Sequence, residues 1–516
     1  MLAAEHPENP APKAILGPRR WLVVLGMALS VYVITAQRTV SWQDSGEFQW
    51  RCLTADLAGT MGLARAHPLY LAAGTLLARL TGPAMPLALN AFSGLGMAVA
   101  LASFAAVASR LSRSALAGCL IAALLGVTHM VWWLSTIAEV YTWSLAALAI
   151  ELYCLLRLLE SPDWRWLARL AMVNGLHLCI HNFALLAWPV YLAVIVILLA
   201  RRRLRPVTAL PAVGAWLLGA GLYVGMTVQL AIETGSMVTA IRSALVGDYG
   251  QQVANVAGGS RHLKANLALA SMNFLSPLLP LAVLGWWKLR AWPRRAAAPI
   301  VALTVIHVVF FVRYPVPDQV TFILPSLMFI ALAASVGLGR LLQHSRKWRT
   351  AATALLLASV VLQPLVFVGA MRVAQRTGAA QRKRQLPFRD EARYWLLPWK
   401  QDETSAQQFA AAVFNQIEPG ALIWPNSTSV YPLMTWQRLH KVRPDVSIQH
   451  HGHPIAESGA LRHVIHERPV YIVSPTQSVG KQAQWVALPD GVLYRLIPAS
   501  TDTSRQAAHP RSESRR

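Results

Sequence analysis

Long apolar runs decide what this chain can be. Stretches of roughly 20 residues, the length needed to cross a hydrocarbon core of about 30 Å, fall near 20–37, 86–108, 115–134, 137–157, 166–181, 183–200, 207–230, 266–289, 297–313, 318–339 and 350–372. A mainly α, polytopic membrane protein with about eleven transmembrane helices is the fold class these runs predict. Composition agrees: 55% of the 516 residues are apolar and only 14% are charged, where a soluble domain carries about a quarter.

The formal charge of +24 would suit nucleic acid if the cations formed one patch with interleaved aromatics. They form clusters between the apolar runs instead, so anionic membrane lipids, not nucleic acid, are the expected partners. With the N-terminus inside, alternate loops carry Lys13/Arg19/Arg20, Arg110/Arg113, Arg157/Arg165/Arg169, Arg201/Arg202/Arg203/Arg205, Lys288/Arg290/Arg294/Arg295 and Arg340/Arg346/Lys347/Arg349. Every cluster then falls on the cytoplasmic side, as the positive-inside rule requires. Residues 1–19 become a cytoplasmic segment, and the run after Arg20, which lacks a clear small-residue cleavage site, stays as the first membrane helix. Keeping this register requires that "HPLYLAAGTLLARL", His67 to Leu80, lie in the outer interface and not cross.

Beyond residue 372 the long apolar runs end. Residues 380–500 read as a small α/β domain on the extracytoplasmic side: "SAQQFAAAVFNQ" has helical periodicity, and "ALIW", "RPDVSIQ" and "RPVYIVSP" read as short strands. The last segment, 501–516, is polar and is expected to be disordered. The four cysteines show no metal or CxxC spacing and read as packing residues.

With this topology the polar residues sort by side. Asp44, Glu47, Arg51, Arg65 and His67 belong to the first outer loop. Glu139, the His181-Asn182 pair, Arg261 and Lys264, and Arg313 with Asp318 and Gln319 reach the same face. An ionisable side chain at membrane depth is a functional-site hypothesis by default. Carboxylates serve as general bases and cations hold phosphate, so this set suits group transfer from a phosphate-linked lipid to a hydroxyl. Plainer readings stand beside that one. Asp44 and Glu47 match an N-cap with its capping-box partner, His181-Asn182 a satisfied break between helices, and the arginines interface anchors. "HHGH", His450 to His453, lacks the spacing of a metal site. "NST" at Asn426 matches a glycosylation sequon that short motifs reach by chance.

"DSGEF", "ARAHPLYLAAGTLLARL", "AEVYTWSLAALAIELYCLLR", "NGLHLCIHNFALLAWP" and "VPDQVTFILPSLMFIALAASVGLGRLL" follow one another in an order that resembles a membrane family long catalogued as a domain of unknown function, whose animal member is a protein O-mannosyltransferase. The resemblance covers about Trp21 to Leu342 and more loosely "PGALIWPNSTSVYPLMTWQRLHKVRPDV". It departs at "AHPLY", where the family shows a longer "AHPPGYPLY". The family is of the GT-C class of glycosyltransferases, which implies a GT-C-like transmembrane domain over 20–372 and a polyprenyl-phosphate-linked sugar donor. The resemblance further implies Asp44 as the general base and Glu47 as a second acidic group that orients substrate or a divalent ion. His67, Glu139 and Asp318 would line the same cavity. His181, Asn182 and Gln319 are added as substrate-binding candidates, and Arg65, Arg261, Lys264 and Arg313 as candidates for the donor phosphate. The residues demand no cofactor, and whether a divalent cation takes part stays open.

The expected activity is therefore hexosyl transfer, with the inversion that the resemblance to the class implies, from a lipid-linked donor to a hydroxyl of protein, lipid or glycan, in a bacterial inner membrane. The rival reading is a secondary transporter or lipid flippase. Transporters gather charge near the midplane between related halves; here it gathers at the outer mouth and no internal repeat is visible.

Overall fold

The computed structural model describes residues 16–498 apart from 254, 256–262, 317, 380–385, 450–459, 475–482 and 490. The chain forms two compact units that are discontinuous in sequence. The first comprises Met1–Thr39, Arg51–Gln381 and Asp390–Glu403; the second comprises Val40–Trp50, Arg382–Arg389 and Thr404–Arg516.

The first unit is helical. It contains α1 (Pro18–Thr35), the last turn of α2 (Gln43–Thr54), α3 (Pro68–Thr81), α4 (Met85–Ser112), α5 (Ala115–Gly126), α6 (His129–Leu134), α7 (Tyr141–Glu160) and α8 (Trp164–Ile180). It continues through α9 (Trp188–Ala200), α10 (Ala209–Thr234), α11 (Met237–Leu245), α12 (Gly250–Val253), α13 (Leu263–Ser271) and α14 (Leu278–Trp287). α15 (Arg294–Arg313), α16 (Leu324–His344), α17 (Arg346–Thr377) and the short α18 (Glu391–Leu396) complete it.

Among the described residues eight helices are long and apolar enough to cross a membrane, or nine if the bent pair through α13 and α14 is one span. Counting apolar runs alone gives a larger number because three runs do not hold one long straight helix: the run over 166–181 forms only the 17-residue α8, and the other two are interrupted. The run over 115–134 breaks at Thr128, whose hydroxyl donates to the Leu125 carbonyl at 2.7 Å. The run over 266–289 turns by 80° before Leu278, where Pro277 removes a backbone donor.

α3 does not continue α4. Between them Gly82 takes φ +53° and ψ −123°, a conformation that side chains disfavour. The chain there reverses: a Cβ on Gly74 would lie 3.2 Å from the Leu89 side chain, and the Tyr70 hydroxyl is 3.4 Å from that of Ser93. Elsewhere helices touch backbone to backbone. A Cβ on Gly219 of α10 would lie 3.2 Å from the Gly175 Cα of α8, and one on Gly337 of α16 would lie 3.0 Å from the Gly285 nitrogen of α14. Small residues at such crossings let membrane helices gain dispersion contacts where no hydrophobic drive exists between them.

The second unit is an α/β layer. It holds the first residues of α2, then α19 (Ser405–Gln416), β1 (Leu422–Trp424), α20 (Val430–His440), β2 (Ser447–Ile448), α21 (Ala460–Glu467), β3 (Val470–Ile472), β4 (Ala483–Ala487) and β5 (Tyr494–Pro498). The sheet order is β2-β1-β3-β5-β4. β1 runs parallel to both neighbours, with Leu422 opposite Ser447 and Val470, whereas β5 is antiparallel to β3 and β4. The three strands expected from "ALIW", "RPDVSIQ" and "RPVYIVSP" are β1, β2 and β3. The β4–β5 hairpin carries no comparable signal, because β4 is exposed at four of its five positions and lacks an alternating pattern. α19 buries Ala406, Phe409, Ala410 and Val413, the 3.6-residue stripe the sequence predicts. Arg443 caps its end, donating to the Phe414 and Ile417 carbonyls at 3.2 and 2.8 Å while pairing with Asp445.

Candidate functional site

The expected site residues fall into both units. Asp44 and Glu47 lie in the second; His67, Arg65, Glu139, His181, Asn182, Lys264, Arg313, Asp318 and Gln319 lie in the first. Arg261 and the histidines 450–453 are outside the described residues, and of Lys264 only the backbone, in α13, is described.

In the second unit, Asp44 and Glu47 are half-buried on the first turns of α2. The segment carrying them is tied to itself. The Ser41 N–H donates to Gln49 Oε1 at 2.9 Å, and Gln49 Nε2 returns to the Ser41 hydroxyl at 3.1 Å. This is the reciprocal logic of a capping box stretched over two turns. Gln43 adopts φ +56°, an uncommon state for a residue with a side chain and one that collects at functional sites. Trp42 is fully buried; its indole donates to the Ser405 hydroxyl at 2.8 Å and its ring packs 5.2 Å from Phe409.

In the first unit a clamp precedes the histidine. Arg51, buried at 3% exposure, donates to four carbonyls: Asp56 at 3.2 Å, Leu57 at 3.1 Å, Arg65 at 2.9 Å and Ala66 at 3.0 Å. The planar fork of guanidinium suits such multidentate work. Gly59, at φ +69°, leaves room for it; a Cβ there would be 3.0 Å from the guanidinium carbon. Arg51 thus shapes the loop that delivers Arg65 and His67. The shortened "AHPLY" is a tight turn, with His67 itself left-handed at φ 50° directly before Pro68 opens α3.

His67 Nδ1 lies 2.8 Å from the Ile180 carbonyl, so its proton sits on Nδ1 and Nε2 keeps a lone pair. His181 Nδ1 accepts the Phe183 N–H at 3.1 Å, which puts the proton of its neutral ring on Nε2. The two rings stack at 5.1 Å. One therefore presents an acceptor and the other a donor. Burial first, then the Arg51 guanidinium, pushes the His67 pKa down to about 3. A folded-state pKa below the unfolded value near 6.5 means that the folded chain binds fewer protons; the stability His67 contributes is full above pH 6.5 and is lost as pH falls toward 3. His67→Gln is therefore expected to flatten the fall in thermal midpoint between about pH 6.5 and 4. Parallel midpoint curves for variant and wild type would contradict this assignment.

An aromatic chain links the other candidates. His181 packs 5.2 Å from Tyr141, Tyr141 packs 5.6 Å from Phe322, and Phe322 packs 4.8 Å from Tyr314. These rings bring together the neighbourhoods of Glu139, of Asp318 with Gln319, and of Arg313. Ser93 holds the Glu139 backbone, accepting from its N–H at 2.8 Å and donating to its carbonyl at 3.1 Å. Gln319 Nε2 donates to the Phe311 and Val312 carbonyls at 2.8 and 3.1 Å, closing the end of α15. Asn182 Nδ2 donates to the Ala244 carbonyl at 2.8 Å. The guanidinium of Arg65 meets Tyr249 at 3.4 Å from its hydroxyl, and Arg313 exchanges hydrogen bonds with Asn255. The Asp318 carbonyl accepts from the Thr321 hydroxyl at 2.9 Å. Among the described residues, no group of three or more His, Cys, Asp or Glu side chains is arranged to hold a metal ion. Cys52 packs against Gly74, and burial raises its thiol pKa to about 12.

A further polar cluster, which no motif in the sequence marks, is buried in the first unit. Glu151, with no exposure, accepts from His177 Nδ1 at 2.8 Å, Asn174 Nδ2 at 3.2 Å and the Tyr191 hydroxyl at 2.8 Å. Ser144 meets His177 Nε2 at 2.7 Å, and the indoles of Trp188 and Trp216 donate to Asn174 Oδ1 at 2.9 and 3.2 Å. Four helices, α7 to α10, meet in this network. A glutamate in the middle of an apolar run was the available signal. Glu151→Ala takes the carboxylate acceptor from His177 Nδ1 and the Tyr191 hydroxyl, leaves Asn174 Nδ2 only the Ala184 carbonyl, and is expected to destabilise by about 3–5 kcal/mol; Glu151→Gln, which keeps one carbonyl oxygen, is expected to lose less. Thermal unfolding in detergent orders the two, and equal losses would contradict the network's role.

Taken together, a polytopic helical bundle with a small α/β unit, polar groups on its connecting segments and an acidic helix start define a membrane protein of the GT-C-like fold. Two solved structures carry that fold over nearly the whole chain. ArnT from Cupriavidus metallidurans bound to undecaprenyl phosphate is 14% identical with a TM-score of 0.56, the match covering 93% of this chain and 98% of that one. The apo state of the same protein is 14% identical at a TM-score of 0.53, covering 92% and 97%. No protein-family model and no curated protein sequence matches the chain.

Proposed function

We propose that this protein is a membrane glycosyltransferase that moves a sugar, mannose or another hexose, from a polyprenyl-phosphate-linked donor to an extracytoplasmic hydroxyl, with protein Ser/Thr side chains the first acceptors to test. The observation that carries this reading is the likeness of fold, across nearly all of both chains, to a protein crystallised with undecaprenyl phosphate. In this reading the Asp44 carboxylate takes the proton of the acceptor hydroxyl, whose oxygen attacks the anomeric carbon. The bond from that carbon to the phosphate oxygen breaks, and polyprenyl phosphate leaves as an anion. Attack opposite the leaving group inverts the anomeric centre. No general acid is needed, because the phosphate departs already stabilised.

Glu47 orients the acceptor or a divalent ion. His67, Glu139, His181, Asn182, Asp318 and Gln319 contribute to sugar and acceptor binding, and Arg65, Arg261, Lys264 and Arg313 to the donor phosphate. Loop charge supports placing these residues and the α/β unit outside a bacterial inner membrane. The test is mass spectrometry of extracytoplasmic proteins and glycans from cells with and without the gene, paired with purified protein and polyprenyl-phosphate mannose. A hexose missing from a defined acceptor, with release of polyprenyl phosphate in vitro, supports the reading; identical glycan profiles and an untouched donor reject it.

A further inference from the structure

In an open sheet with parallel strands, ligands are held outside the carboxyl end of the strand where the connections change direction. In the second unit that strand is β1. The chain leaves it for β2 on one side and then crosses to β3 on the other. The turn that leaves β1 at this switch point is shaped by Asn426, whose Oδ1 accepts from the Thr428 N–H at 3.1 Å, the Ser429 N–H at 3.1 Å and the Ser429 hydroxyl at 3.0 Å. With its side chain folded into its own turn, Asn426 serves the backbone and not a sequon.

What the turn receives is the chain itself. The Thr428 carbonyl accepts the N–H of Gln43 at 3.2 Å, one residue before Asp44. At the next turn of α2 the fit is closed: a Cβ on Gly46 would collide with the Ser41 carbonyl and stand 3.3 Å from the Tyr431 Cβ, at the start of α20. Arg438, also of α20, lies 6.0 Å over the Trp50 ring. Trp42, Gln43, Gly46 and Trp50 are thus held by four separate points of one α/β unit, and Asp44 and Glu47 are among the residues between them. Gln43 is kept at a positive φ only while the Thr428 carbonyl and the neighbouring packing over-determine it.

We infer that the α/β unit is the positioning device for Asp44, with the Asn426–Ser429 turn holding the start of α2 as an internal ligand of the switch point. Asn426 and Gly46 are positioning residues and touch no substrate. This rests on the transferase reading for its kinetic half only. A base displaced by about 1 Å loses up to roughly 100-fold in rate.

The test uses full-length protein in nanodiscs with Asn426→Ala, Asn426→Asp and Gly46→Ala. Asp keeps the acceptor oxygen that shapes the turn. Amide hydrogen exchange over residues 40–50 is expected to speed up in Asn426→Ala and Gly46→Ala and to stay slow in Asn426→Asp. With polyprenyl-phosphate mannose as the probe, Asn426→Ala is expected to lower kcat by roughly 10- to 100-fold, to leave KM for the donor within about twofold, and to be rescued by Asn426→Asp. Unchanged exchange in Asn426→Ala overturns the inference, as does an equal kcat loss in Asn426→Ala and Asn426→Asp with exchange unchanged, since the side chain would then act on substrate. If wild-type protein leaves the donor untouched, the transferase reading fails while the exchange measurement still decides the positioning role.

Discussion

Asp44→Asn is expected to reduce sugar transfer by about 10²- to 10⁴-fold in kcat, the range a positioned general base supplies, with donor KM and protein yield nearly unchanged. Asparagine is isosteric and starts a helix about as well as aspartate. The contacts that hold the segment include those of Ser41, Trp42, Gln43, Gly46 and Gln49, and the substitution leaves these in place. Release of polyprenyl phosphate from purified protein measures the effect. Full activity in Asp44→Asn would assign the base to another group.

Arg51→Lys is expected to unfold at a midpoint several degrees below wild type, although the charge is kept. An ammonium has no planar fork and cannot reach four carbonyls that converge on a guanidinium from Asp56, Leu57, Arg65 and Ala66. Each carbonyl left unsatisfied in a buried site costs about 1–3 kcal/mol. Arg51→Ala is expected to be worse still and to expose residues 55–66 to protease. Wild-type behaviour of Arg51→Lys in both assays would show that something other than the clamp holds this loop. Placed on the outer face by charge counting alone, Arg51 looked like one more cation near a membrane; its burial at 3% exposure makes it a builder of the loop.

Period and length made the helical bundle legible, because apolar runs near 20 residues have few alternatives. The α/β unit was legible through β1 to β3, whose β-branched and aromatic residues sit between turn signals. What sequence could not deliver was membership. Nothing in "VSWQDSGEFQW" says that Val40–Trp50 packs with residues 404–498, four hundred positions away. Spacing rules act within an element, and such pairing is a long-range event. Glu151 was missed for a related reason: one charge in an apolar run has no partner in sequence, and its partners His177, Asn174 and Tyr191 arrive from two later helices.

The glycine crossings bear on how such a bundle works. Where Gly175 faces Gly219, and Gly285 faces Gly337, neighbouring helices meet with no side chain between them to swing, slide or repack. A main-chain contact fixes the spacing of two helices, because no rotamer is there to give way, and even one methyl group added at either glycine would wedge the seam open.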